Sequence, residues 1–132
     1  MILPQGAIVA VVDGEKLVLF KNTGVHEPQL SAMDSPSIDD SGSGSGGHHS
    51  SSANPDNDTQ AEDGFAHGVA GVLNKWALSG KLNDLVVIAA PRTLGELRKS
   101  WHKELQGKLI GEIAKDLTGA SADQIVATIE KA

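Results

Sequence analysis

The chain has no cysteine and no tyrosine, and its aromatic residues are Phe20, Phe65, Trp76 and Trp101. Without thiols, disulfide frameworks, thiolate zinc sites and thiol nucleophiles are excluded. Four scattered rings give little material for a base-stacking platform. A cationic surplus is also missing, since 11 Lys and Arg stand against 17 Asp and Glu for a net charge of −6. That balance argues against a broad basic face and leaves room for local positive patches only. The opening apolar run, Ala7 to Val12, is cut by Asp13 and has no basic flank, so it reads neither as a secretion leader nor as a membrane span. These absences predict a soluble, cytoplasmic protein with no membrane insertion and no DNA partner.

What the chain does have is one long buried signal. Leu85-Val86-Val87-Ile88-Ala89-Ala90 is unbroken and apolar, which suits a strand covered on both faces of an α/β sheet. Pro91 should end it. Thr93 with Glu96 three residues later has the capping-box spacing and predicts a helix from about Leu94. Ligands of open α/β sheets bind beyond the carboxyl ends of such strands. Arg92 stands there and is a binding candidate.

At 132 residues the length suits a single domain. Ala7 to Val12 and Glu15 to Phe20 flank Asp13-Gly14, the dipeptide of a two-residue type I′ turn, and predict a β-hairpin. A short third strand is expected within Pro28 to Met33. Residues 34–58 hold most of the Ser and Gly runs, with Ile38 their one large aliphatic side chain, and are expected to form a mobile loop. Thr59 and Glu62 repeat the capping-box spacing ahead of Phe65, Val69, Val72, Leu73 and Trp76, predicting a helix from about Gln60 to Leu78 that stops at Gly80. Gly64, Gly68 and Gly71 inside it suggest close backbone approach to the sheet, with a dimer seam as the second choice. The helix after Pro91 is expected to continue through Leu97 and Trp101 towards Leu105. By periodicity Leu109 to Lys115 fits either a continued helix or another strand, of which the strand is taken on the family resemblance below, and Ser121 with Gln124 caps a last helix that turns Ile125, Val126 and Ile129 inward. The order β-β-β-α-β-α-β-α predicts a mixed sheet of about five strands flanked by helices.

Several patterns are weaker than they look. Gly42, Gly44 and Gly47 match a dinucleotide fingerprint in spacing but lack the strand before and the helix after that the motif requires. His48, His49, Asp39, Asp40 and His67 include metal-ligand types, yet a Ser/Gly tract offers no preorganised geometry for them. No metal or cofactor is therefore expected. The serines form no Gly-x-Ser-x-Gly elbow. Asp13 is accounted for by its turn, while Asp116 and Lys115 remain candidates beside Arg92 as charged groups near a sheet end. Asp116 or Asp13 would pair with Arg92 or Lys115.

The stretch Pro91-Arg92-Thr93-Leu94-Gly95-Glu96-Leu97-Arg98, with Lys115-Asp116-Leu117-Thr118 after it, resembles the bacterial host attachment proteins over nearly the whole chain. That family in turn is similar to the middle domain of eukaryotic-type peptide chain release factors, an α/β domain whose Gly-Gly-Gln loop precedes a long helix. Gly46-Gly47-His48 matches the two glycines and has His where the release factors have Gln. The resemblance thus implies a domain that is not a self-contained release factor, with altered or lost peptidyl-tRNA hydrolysis. It implies one of two roles. One is a non-enzymatic binding or adaptor domain with an unidentified protein partner; the other is a translation-associated domain that meets the ribosome or tRNA through Gly46, Gly47 and His48.

Overall fold

The computed structural model describes residues 1–38 and 57–132. Among them are five strands and four helices. The strands are β1 (Ile8–Val12), β2 (Leu17–Asn22), β3 (Leu30–Met33), β4 (Leu85–Ala89) and β5 (Leu109–Ala114). The helices are α1 (Asn57–Leu78), α2 (Pro91–Arg98), α3 (Lys103–Gln106) and α4 (Ala122–Lys131). The sheet order is β3-β2-β1-β4-β5. β1 pairs antiparallel with β2, β2 antiparallel with β3, and β4 lies parallel to both β1 and β5. The mixed α/β sheet is thus the one that the pattern of elements predicts.

β1 and β4 are apolar throughout because both their faces are covered. Ala10, Val12, Leu85 and Val87 face one core with Ala66, Val69, Ala70, Leu73 and Ala77 of α1 and with Leu94, Leu97 and Leu105. The intervening Val9, Val11, Val86 and Ile88 face a second core with Ile125 and Ile129 of α4. The two-residue period of a strand delivers alternate side chains to opposite layers. α1 ends as its sequence indicates: Gly80 has a φ of 80°, and Lys81 N–H reaches back to the Trp76 carbonyl at 2.8 Å. Left-handed geometry there suits glycine. The Ser121–Gln124 capping box is present with both reciprocal bonds.

Four local expectations are corrected. The first hairpin turns one residue later, with Val12 opposite Leu17 and Asp13 N–H bonded to the Lys16 carbonyl. Gly14 and Glu15 are then the central residues, and Gly14 does not take the positive φ of a type I′ turn. The Asp13 carboxylate sets this register, since its Oδ1 accepts from Glu15 N–H at 2.8 Å and Lys16 N–H at 2.6 Å.

α2 starts at Pro91, directly after Ala90, and no side chain caps it. A proline at the first helical position brings the required φ and has no N–H to satisfy, so Thr93 lies inside the helix. Thr59 is likewise inside α1, which opens at Asn57.

The helical pattern beyond Leu97 is divided between α2 and α3. Asn74 of α1 donates to the Ser100 carbonyl and accepts from His102 N–H, both at 2.8 Å, and so satisfies the backbone at the break. Leu97, Trp101 and Leu105 still enter one core. Gly71, finally, is exposed, and a Cβ there would meet nothing within 4 Å, so close approach to the sheet does not account for it.

The tract predicted as loop lies mostly outside the described residues, and with it Gly46, Gly47 and His48. At its border Ser35 Oγ donates to the Leu17 carbonyl at 2.7 Å, and Ile38 packs against the core.

Candidate functional site

Parallel pairing sends β1, β4 and β5 to one edge of the sheet, where they end at Val12, Ala89 and Ala114. The candidates from sequence follow those ends. Arg92 is the second residue of α2, just after β4, and Lys115 and Asp116 come directly after β5. All three are exposed. The topology therefore gathers Arg92, Lys115 and Asp116 at the edge where open α/β sheets hold ligands.

The pairing differs from expectation. Arg92 Nη2 donates to Oδ1 of Asp63 on α1 at 2.9 Å, and neither Asp13 nor Asp116 is its partner. With the arginine side chain 55% exposed, this ion pair ties two helices with little net stabilisation, about 1 kcal/mol or less. The arginine sits against α1 because its helix packs there, and the sequence gives no local sign of Asp63 as its acceptor.

Asp13 does more than shape its turn. While Oδ1 is engaged in the hairpin, Oδ2 lies 3.0 Å from the Thr118 hydroxyl. That hydroxyl is also 3.0 Å from Oδ1 of Asp116, which Thr118 N–H approaches at 3.4 Å. Two carboxylates thus share one threonine, and the β5–α4 loop is fastened over the first hairpin. Asp-x-Thr is an Asx-type pattern that sequence can show, whereas its meeting with Asp13 depends on the fold.

Beside this junction an open cleft of about 290 Å³ is lined by Asp13, Gly14, Glu15, Ala61 and Glu62. A Cβ on Gly14 would come 2.6 Å from the Cγ of Glu62, so the glycine makes room for the glutamate stem. With Asp63 next to Glu62 in sequence and Asp116 joined to Asp13 through Thr118, the edge is acidic, offset by Arg92 and Lys115. The undescribed tract lies between β3, which ends at Met33, and α1, which opens at Asn57. No group of three or more His, Asp or Glu suited to a metal ion occurs among the described residues.

A second polar cluster joins α1 to α2. His67 Nδ1 is 2.9 Å from Ser100 Oγ, and its Nε2 is 3.4 Å from Glu96 Oε1. Glu96 Oε2 also accepts from Lys99. The Lys99 ammonium holds the Glu96 carboxyl below its usual range, opposed by partial desolvation and aided by His67. Arg98, in turn, donates twice to Glu112 of β5, and this contact raises its guanidinium above the usual value. His67 is therefore engaged in an interhelical contact. Trp101 is buried and its Nε1–H donates to Glu112, while Trp76 is half-buried at the core margin.

Among the described residues, no helix is long and apolar enough to cross a membrane. No curated protein matches the chain. The profile of bacterial archaeo-eukaryotic release factor family 12 matches residues 6–129, which takes in every strand of the sheet and nearly all of α4.

Proposed function

The chain belongs to the bacterial archaeo-eukaryotic release factor family 12, and from that membership we propose that it is a translation-associated domain that engages the ribosome or tRNA by binding. The observation that carries the reading is the span of the match, from the first strand to the last helix, with Gly46-Gly47-His48 inside it. Gly46, Gly47 and His48 are the contacting residues of this proposal, together with Arg92, Lys115 and Asp116 at the carboxyl edge of the sheet. Arg92 and Lys115 offer the positive charge that a phosphate would meet there. His48 in place of the release-factor glutamine removes an amide that would orient a water, which supports binding without peptidyl-tRNA hydrolysis. Co-sedimentation of the purified protein with ribosomes at moderate salt tests this. Pelleting with ribosomes is expected, and a protein that stays in the supernatant contradicts the reading.

A second reading is an adaptor for an unidentified protein partner, as the likeness of Pro91–Arg98 to host attachment proteins suggests. The acidic cleft at Asp13, Glu15 and Glu62 favours it, because carboxylates repel phosphate and complement a basic protein surface. Capture by a basic peptide array that is lost in Glu15→Gln/Glu62→Gln supports this reading, and unchanged capture opposes it.

A further inference from the structure

The two ends of the sheet differ sharply in charge. Residues 74–84 and 98–108 carry the six cations Lys75, Lys81, Arg98, Lys99, Lys103 and Lys108 against two carboxylates, Asp84 and Glu104. The rest of the chain holds five cations and fifteen carboxylates. An overall charge of −6 therefore conceals a positive corner.

The fold makes one surface of these two segments. Asn74 of α1 binds the backbone at Ser100 and His102, which lead into α3. Lys108 Nζ donates to the Leu82 carbonyl at 3.3 Å, and Lys108 C=O accepts from Leu85 N–H at 2.9 Å. Lys81 Nζ sits 4.3 Å from the centroid of the Trp76 ring. The corner thus lies where β4 and β5 begin, at the opposite edge from the acidic cleft. Glu62 and Lys75 stand thirteen residues apart on α1, which separates the two charge centres by about 20 Å along the helix axis.

Arg98 and Lys99 are paired with Glu112 and Glu96. Lys75, Lys81, Lys103 and Lys108 take part in no ion pair among the described residues. Three of these four are exposed and Lys108 is partly so. Their uncharged neighbours are mostly polar, Asn74, Ser79, Asn83 and Gln106, with Leu78 and Ile110 the large exposed apolar side chains beside them. Protein interfaces are built around apolar anchors and are poor in lysine, so this surface is better matched to a polyanion. Trp101 is buried, and Trp76 carries Lys81 over its ring and packs against the core, which disfavours base stacking as the mode of binding.

We propose that this corner binds the phosphate backbone of RNA, independently of base sequence, through Lys75, Lys81, Lys103 and Lys108. The choice of RNA over DNA rests on the translation-associated reading, whereas the phosphate site itself stands on charge and geometry.

The test is a fluorescence titration of a short labelled RNA hairpin with the full chain at 50 and 200 mM salt. Four phosphate contacts predict that affinity falls roughly fifty- to one-hundred-and-fifty-fold between those two conditions. Lys75→Gln/Lys81→Gln/Lys103→Gln/Lys108→Gln should lose most of the binding at 50 mM and most of the salt dependence. Lys16→Gln/Lys21→Gln/Lys131→Gln, away from the corner, should retain both. Circular dichroism checks that the variants fold. If the fourfold variant does not fold, Lys75→Gln/Lys103→Gln should still lower the logarithmic salt slope by about 1.4 to 1.8. Wild-type binding with no salt dependence, or lysine variants that bind as the wild type does, would overturn the proposal. Tighter binding of a labelled oligoglutamate peptide than of the hairpin would replace RNA with an acidic protein, and preference for the same hairpin in DNA would refute the RNA assignment alone. These outcomes are separate from ribosome engagement through Gly46, Gly47 and His48, which the lysine substitutions leave intact.

Discussion

The Thr118 hydroxyl lies 3.0 Å from Oδ2 of Asp13, joining residues 105 positions apart across the carboxyl edge of the sheet. This contact fixes the β5–α4 loop against the first hairpin. Thr118→Val keeps the shape and removes the donor, and should lower stability by about 1 kcal/mol. Asp13→Ala also strips the acceptor from Glu15 and Lys16 N–H and should cost about 2 kcal/mol or more. Urea unfolding midpoints of the two variants measure the difference; equal midpoints would place no special weight on the Asp13 carboxylate.

Two glycines should respond differently to an added methyl. At Gly24 a Cβ would stand 1.8 Å from the Glu27 carbonyl oxygen, which is backbone, whereas at Gly14 it meets the flexible Glu62 side chain. Gly24→Ala is expected to cost roughly 2 kcal/mol or more and Gly14→Ala clearly less. Thermal melts of the two proteins under identical conditions check the order.

Glu96 gives a signed pH dependence. Its carboxyl is lowered in the folded protein, chiefly by the hydrogen bond from Lys99 and further by His67, from an ordinary value of 4.5. A depressed folded value means that the unfolded chain takes up the proton first, so the contribution is present above about pH 4.5 and disappears as pH falls through the folded value. The stability advantage of wild type over Glu96→Gln should therefore shrink between pH 6 and pH 3. Urea midpoints at those two pH values report it, and an advantage that grows on acidification would contradict the sign.

Asn22 is the one buried polar side chain among the described residues. Its Nδ2 donates to the Leu3 and Pro4 carbonyls, and its Oδ1 accepts from Gly24 and Gln29 N–H. Asn22→Leu leaves all four backbone groups without that partner and should cost about 3 kcal/mol or more. Calorimetric melting of the variant tests this.

Much of this architecture is legible in the sequence because it depends on near neighbours. Leu85 to Ala90 announces a buried strand, Gly80 a helix end and Ser121 with Gln124 a helix start, each within one turn of chain. Sequence and fold part where distant groups decide. The break between α2 and α3 is satisfied by Asn74, and Arg92 finds its partner on α1 at Asp63. The hairpin turns one residue later than Asp-Gly at its centre implies because the Asp13 carboxylate, which bonds Glu15 and Lys16, outweighs the usual preference for Asp-Gly at the centre of a turn. Of the candidate site, the position of Arg92, Lys115 and Asp116 after strand ends is legible because strand ends are visible in sequence. Thr118 and Glu62 were missed because only the folded sheet brings them to Asp13 and Gly14. The positive corner was present in the residue order, yet α1 and α3 must pack before its lysines share a surface.

The central claim is that this release-factor-family domain engages the translation machinery through Gly46, Gly47 and His48. The most direct measurement is the affinity of the full chain for purified ribosomes at moderate salt, with Gly46→Ser/Gly47→Ser/His48→Ser beside the wild type. Wild-type binding weakened at least tenfold by the substitutions, with the thermal melt unchanged, is the expected result. Equal binding by both proteins, or binding by neither, would contradict the claim.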